Sequence, residues 1–292
     1  MNMDELLGMM CVALSAVLFG CMPLLTKVAS AAGSNVCMIA LGRFFFGALF
    51  AASIVLCKPG SIWLPRGALL KIFKLSLLYA AMPLLLYASY QHIDSGLATT
   101  LHFSYPVVVM LFSALICHQS IKRRQLVSLL FCLTGLLCLM RLEGEANLWG
   151  ITLAVLSGVV YAVYIVFLSQ SGLQKLSVFV LTFWLALFAT IELTLAAAMA
   201  KQLSLIQPPS AWLAELGLGL LTTTLALALF QKGVFLCGEM QAALASTLEP
   251  VTGVLLGCIA LQESLNLPMC SGLVLILLAS LVLLKKKQEQ KT

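Results

Sequence analysis

Charge is what this chain has least of. Only 10% of its 292 residues are Asp, Glu, Lys or Arg, and aspartate occurs only as Asp4 and Asp94. Such scarcity excludes the polar shell that a soluble domain of this length needs. It also leaves few of the converging acids, bases or activated nucleophiles on which enzyme chemistry depends, so the chain is not read as an enzyme. No G-x-x-x-x-G-K-[ST] phosphate loop is present, which excludes a self-contained ATP-driven pump. The ten cysteines include no C-x-x-C pair and read as small buried hydrophobes. Three dispersed histidines, His92, His102 and His118, do not form a metal site. Neither a metal nor a cofactor is expected. Basic residues do not alternate with exposed aromatics, so nucleic acid is not an expected partner.

Apolar residues fill the space that charge leaves, at 62% of the chain. Crossing about 30 Å of hydrocarbon takes about 17 to 25 apolar residues, and ten such runs are legible. They cover about residues 6–29, 36–57, 69–90, 95–117, 125–140, 148–168, 178–200, 212–236, 241–261 and 268–284. The fifth and tenth are short. Lipid offers the backbone no hydrogen-bond partner, and the runs are too continuous to alternate as barrel strands would, so helices follow. The expected fold class is therefore all-α integral membrane, with the bilayer as its surroundings.

The longest polar interruptions, 58–67 and 201–211, are too short for a soluble domain. They carry or border Pro59, Trp63, Pro65, Pro208, Pro209 and Trp212, which suits chain at headgroup level. Basic residues set the expected orientation. One set of alternate loops holds Lys58, Arg66, Lys71, Lys74, Lys122, Arg123, Arg124, Lys175, Lys232, the run Lys285, Lys286, Lys287, and Lys291. The other holds only Lys27, Arg141 and Lys201. Because Lys and Arg in short loops resist translocation, both termini are expected in the cytoplasm. The first run is read as a retained helix rather than a cleaved signal, since Asp4 and Glu5 stand where a signal is positive.

The runs repeat. Pro106-Val107 recurs 144 residues later as Pro250-Val251, with Ala98 on Ala242, Ser120 on Ser264 and Arg141 on Lys285. Near the start of each half the offset is 142, placing Gly8 on Gly150, Leu14-Ser15 on Leu156-Ser157 and Phe19 on Tyr161. The expected organisation is a five-helix unit over 6–141, a second over 148–285, and a basic cytoplasmic tail over 286–292. Five is odd, so the second unit enters the membrane upside down: ten helices as two inverted repeats.

The five-plus-five plan, Gly96-Leu97-Ala98-Thr99-Thr100-Leu101, its partner 241–251 ending in Glu249-Pro250-Val251, and the stretch 261–265 with Glu263 resemble the EamA-type members of the drug/metabolite transporter superfamily. The likeness spans about 6–285. Repeat one departs from the pattern, with Tyr105-Pro106 and Gln119 where acids stand in repeat two. Arg43 looks like the basic residue many members place in the second helix. The resemblance implies a multi-pass protein of the cell inner (plasma) membrane that exports amino acids or related small organic metabolites, without cofactor. Drug efflux, or a carrier of phosphorylated metabolites or nucleotide sugars, is the alternative on the same fold. It also implies that the fifth and tenth helices lie peripherally, and it leaves a homodimer open.

Ionisable groups within a bilayer cost about 2.5 to 3.5 kcal/mol or more unless they face protein or water, which singles out Lys27, Arg43, His102, Glu192 and Glu249. Glu249, beside a helix-kinking Pro250, reads as a proton or cation acceptor or a partner for a substrate amine; the alternative is a structural pair with Arg43 or Lys27. Pro106 is expected to kink the related helix, with Tyr105 in place of the acid. Arg43 suits a carboxylate fork but lies near its helix start and could snorkel. His102 reads as a proton relay or as packing. Tyr161 and Tyr164 share a helix face, joined by Tyr87 and Tyr105, as an aromatic substrate wall or as interhelical packing. Gln231 and Thr222 to Thr224 read as ligands or interhelical glue. Glu192 is expected to meet a structural partner.

Overall fold

The computed structural model describes residues 3–57, 61–93, 95–139, 147–204, 207–262 and 266–284. Arg141, Glu263, Ser264, Lys285 and the tail 286–292, which carry several of the sequence expectations, lie outside the described residues. Those described form helices and short connections, with no strand among them.

Ten helical spans follow in order: α1 (Met3–Ala31), α2 (Val36–Leu56), α3 (Arg66–Ser89), α4 (Gly96–Leu115), α5 (Arg123–Leu139), α6 (Leu148–Gln170), α7 (Val178–Met199), α8 (Pro209–Cys237), α9 (Glu239–Ala260) and α10 (Leu267–Leu284). Among the described residues, nine are long and apolar enough to cross a membrane. The other, α5, has 17 residues and reaches about 26 Å, short of a typical core. Ends differ from expectation by a few residues for local reasons. Pro65 and Pro208, both with φ near −60°, start α3 and α8 earlier than hydropathy suggests. Asn35 and Asn147 cap the starts of α2 and α6 by accepting the backbone N–H groups of Met38 and Trp149.

The packing obeys an exchange of halves. Helix α1 lies against α8, and their counterparts α6 and α3 lie against each other. The pairs α2 with α7, α4 with α9 and α5 with α10 each map onto themselves. An operation that swaps the five-helix units and maps such pairs onto themselves is a two-fold, and the odd span count lays its axis in the membrane plane. The fold is thus two inverted five-helix repeats. Helices α5 and α10 pack on one another at the periphery, with Leu126, Leu130, Leu137, Val274 and Leu281 facing outward. The interior is left to the other eight. The face on which α1 starts and α8 ends is called lower here, and the face on which α1 and α3 end is upper.

Candidate functional site

Three spans break near their middles, and proline chemistry accounts for each break. A proline at position i removes the hydrogen bond to the carbonyl at i−4. Pro23, Pro106 and Pro250 therefore release the carbonyls of Phe19, His102 and Ser246. The first segments end at Phe19, His102 and Ala245, and the second segments begin at Met22, Tyr105 and Leu248. The expected kinks at Pro106 and Pro250 are thus full interruptions. Pro23 adds a third that the sequence reading did not include. Pro83 sits inside α3 without interrupting it. Helix α6 closes on the freed His102 carbonyl: a Cβ at Gly158 would lie 2.7 Å from that oxygen, so only glycine fits without a shift.

The breaks open a cavity of about 780 Å³ between the repeats, bounded by the second half of α1, the ends of α3 and α9, the start of α4 and the middle of α6. It runs from the breaks toward the upper face, where exposed Ser30 and Ala31 form part of its rim.

Aromatic rings form most of its deep wall. Tyr105 meets Tyr161 edge-on at 4.8 Å between centroids, and His102 stacks on Tyr161 at 5.7 Å. Tyr79, Tyr87 and Tyr90 continue the wall along α3. His102 is anchored: Ser157 Oγ donates to the Ala154 carbonyl at 2.6 Å, so His102 Nδ1 is the donor in its 2.9 Å contact with Ser157.

Three ionisable groups besides His102 reach the cavity: Lys27, Arg43 and Glu249. Arg43 does not snorkel. It is 3% exposed, donating to Thr223 Oγ1 at 3.2 Å and Tyr79 Oη at 3.1 Å, with the Met22 sulfur 2.9 Å from Nη1. Thr223 lies in a π-helical stretch of α8, Gly219–Ala226, a wide turn of the kind found at functional sites. The guanidinium also lies over the Phe44 ring at 5.1 Å. The hydrogen bonds holding it thus run to neutral groups, and the pair with Glu249 considered from sequence is not among them. Glu249 is the second residue of α9's second segment, with one side open to the cavity. A carboxylate there faces the positive end of a half-helix.

The structure gathers Arg43, Tyr87, His102, Tyr105, Tyr161, Glu249 and Pro250 around this space and leaves out Tyr164, Gln231, Pro106 and Thr222 to Thr224. Tyr164 is fully buried beneath, its ring parallel to Tyr161 at 5.9 Å. Gln231 accepts from Thr182 at 3.0 Å and neighbours the Tyr164 hydroxyl. Pro106 is buried at the α4 break. Their absence from the lining follows from closure of the lower half, where α4, α6, α8 and α9 converge. Glu192 accepts from Ser76 of α3 at 2.6 Å, a structural partner within the chain. Exposed His92 and His118 lie away from the cavity.

Two buried acids escaped the sequence reading. Glu215 in α8 accepts from Ser34 at 2.8 Å, and Glu239 at the start of α9 is 1% exposed. Both were visible as lone acids within or between apolar runs.

Comparison with known proteins agrees with this architecture. A solved crystal structure superposes on 94% of this chain and 95% of its own with a TM-score of 0.81 at 17% identity, a likeness of fold alone. An uncharacterized transporter of Archaeoglobus fulgidus is 26% identical over 276 residues, covering 94% of this chain and 95% of its own length. An uncharacterized transporter of Synechocystis sp. is 31% identical over 199 residues, 66% of this chain; the match spans 59% of that relative's length. The sequence model of the EamA-like transporter family matches residues 6–141 and again 148–285, once over each five-helix repeat, and on that two-fold match the chain belongs to this family.

Proposed function

We propose that the protein is a secondary transporter that exports a small zwitterionic or weakly charged organic solute, such as an amino acid or related metabolite, by alternating access. The carrying observation is the cavity between the repeats, with Arg43 and Glu249 in its wall and tyrosine rings around them. Its volume falls within the ~300 to 1,000 Å³ of small-molecule sites. An arginine oriented by neutral hydrogen bonds keeps its charge available to a carboxylate, and Glu249 stands ready for an amine or a proton. The rings suit an amphipathic or aromatic body. Among the described lining residues Lys27 and Arg43 are the Lys and Arg groups, a small complement for a polyphosphate, which favours this reading over a nucleotide-sugar carrier.

In the orientation that basic loops favour, both termini are cytoplasmic, the upper face is outside, and this conformation is outward-facing. The test is efflux from cells and from reconstituted vesicles loaded with a panel of amino acids and aromatic metabolites. Export of a zwitterion, lost in Arg43→Gln, supports the proposal. Movement of polyphosphates in preference to zwitterions overturns it.

A further inference from the structure

At the lower face a carboxylate is locked between the repeats. Glu239 opens α9, directly after Gly238, whose φ of +83° turns the chain from α8 into α9 without an intervening loop. Three neutral donors close on it from three elements. Ser113 in the last turns of α4 donates to Oε1 at 3.0 Å, Gln119 beyond α4 donates to the same oxygen at 2.6 Å, and Ser169 at the end of α6 donates to Oε2 at 2.6 Å. Two of the three cross from repeat one to repeat two.

The lock lies on one arm of a crossing. Tyr105 and Ser246 bridge α4 and α9 where both are broken. Below this bridge Glu239–Ala245 packs on Tyr105–Leu115. Above it the two helices part: Ser95–His102 lies on α6 and Leu248–Leu261 on α1, with the cavity between. The arrangement is unequal between faces. The counterpart of Glu239, 144 residues earlier, is Ser95, which carries no charge. Gln119 occupies the repeat position of Glu263; an acid there would face Glu239 with like charge, whereas an amide can donate. The departure of repeat one from the acidic pattern of repeat two thus has a physical use.

Resting on the transporter reading above, we infer that Glu239 with Ser113, Gln119 and Ser169 is the latch of the lower gate, which holds that face shut while the upper cavity is open. A buried carboxylate with charge-assisted hydrogen bonds is held firmly. Water replaces the same donors when the gate parts, so release leaves no unpaired charge. That combination suits a contact that must break once per transport cycle. Glu239 acts here as a positioning residue: it sets the balance between the two open states and touches no solute in this one.

Hydrogen exchange read by mass spectrometry on the full chain in lipid nanodiscs, without solute, tests the latch. Glu239→Gln replaces charged acceptors by weaker neutral ones, and Ser169→Ala removes one donor while leaving the acid in place. The expected result is exchange faster by about tenfold in peptides around 237–246, together with slower exchange in peptides around 99–103 and 253–257 that line the upper cavity, with Ser169→Ala shifting both in the same sense by less. Faster exchange at 237–246 with no change across the upper cavity overturns the inference, because a purely structural cap would fray locally. So does unchanged exchange at both faces. If Glu239→Gln does not fold, the Ser169→Ala pattern decides alone. Reciprocal exchange with no solute exported keeps the latch and defeats the export reading, so the two failures are distinguishable.

Discussion

Tyr105 Oη lies 2.6 Å from Ser246 Oγ, joining α4 to α9 at the point where each is interrupted. Ser246 donates its own proton to the Ala243 carbonyl at 3.0 Å, so Tyr105 is the donor. The repeat counterpart of this bond pairs His102 with Glu249, and both of those side chains line the cavity instead. A bond made below the centre and its counterpart parted above it are what exchange between two inverted states requires.

Removing this bridge leaves most of the fold intact. Tyr105→Phe keeps the ring packed on Tyr161, and Ser246 keeps its bond to Ala243. Thermal unfolding in detergent should register a loss of about 0.5 to 1.5 kcal/mol, the worth of one buried hydrogen bond. On the alternating-access proposal export should fall further than stability, because the bridge joins the two repeats where both of its helices are interrupted.

Exchange of His102 and Glu249 into contact predicts energetic coupling between them. In vesicles with an imposed pH gradient, Glu249→Gln should abolish any dependence of export on that gradient. His102→Asn in the Glu249→Gln background should add little to the single effect, whereas independent sites add. Full proton-driven movement in Glu249→Gln would falsify a coupling role for the acid.

Arg43→Lys should lower export by about tenfold or more, since a lysine ammonium is a point donor that cannot hold the planar fork toward both Thr223 and Tyr79. Expression and monodispersity in detergent should change little, because a positive charge remains beside the same neutral hydroxyls. Solute affinity from binding isotherms separates loss of grip from loss of fold.

Gly158→Leu forces a side chain against the His102 carbonyl, a backbone oxygen that cannot swing aside. Overpacking of this kind costs about 1 to 3 kcal/mol. The melting temperature of the purified variant should fall accordingly, with Gly158→Ala in between.

Much of the architecture was legible because the bilayer makes it so. Apolar run length fixed the spans to within a few residues at each end, and Pro65 and Pro208, with preset helical φ, account for the earlier starts of α3 and α8. Pro106 and Pro250 marked the interruptions since a missing N–H acts locally. Pro23 is equally readable as a helix breaker, while Pro83 lies inside α3 without interrupting it. Arg43 read from sequence as a candidate for snorkelling because its distance from the helix end was all that could be seen. Its burial depends on Thr223, 180 residues away. Tyr164 and Gln231 are buried and neither lines the cavity, because closure of the lower half is a property of the assembled helices that no single run encodes.

What the sequence determined by itself is one-dimensional: how many times the chain crosses the membrane, where proline interrupts it, and that an odd-numbered unit occurs twice and so must invert. Lipid supplies no hydrogen bonds and translocation resists basic loops, so those features need only local composition. Tertiary structure decided which polar groups meet. Arg43 found Thr223 and Tyr79, Glu239 found three donors on the lower side, and Glu249 was left facing the cavity, because side-chain contacts between helices depend on crossing geometry that no single run encodes.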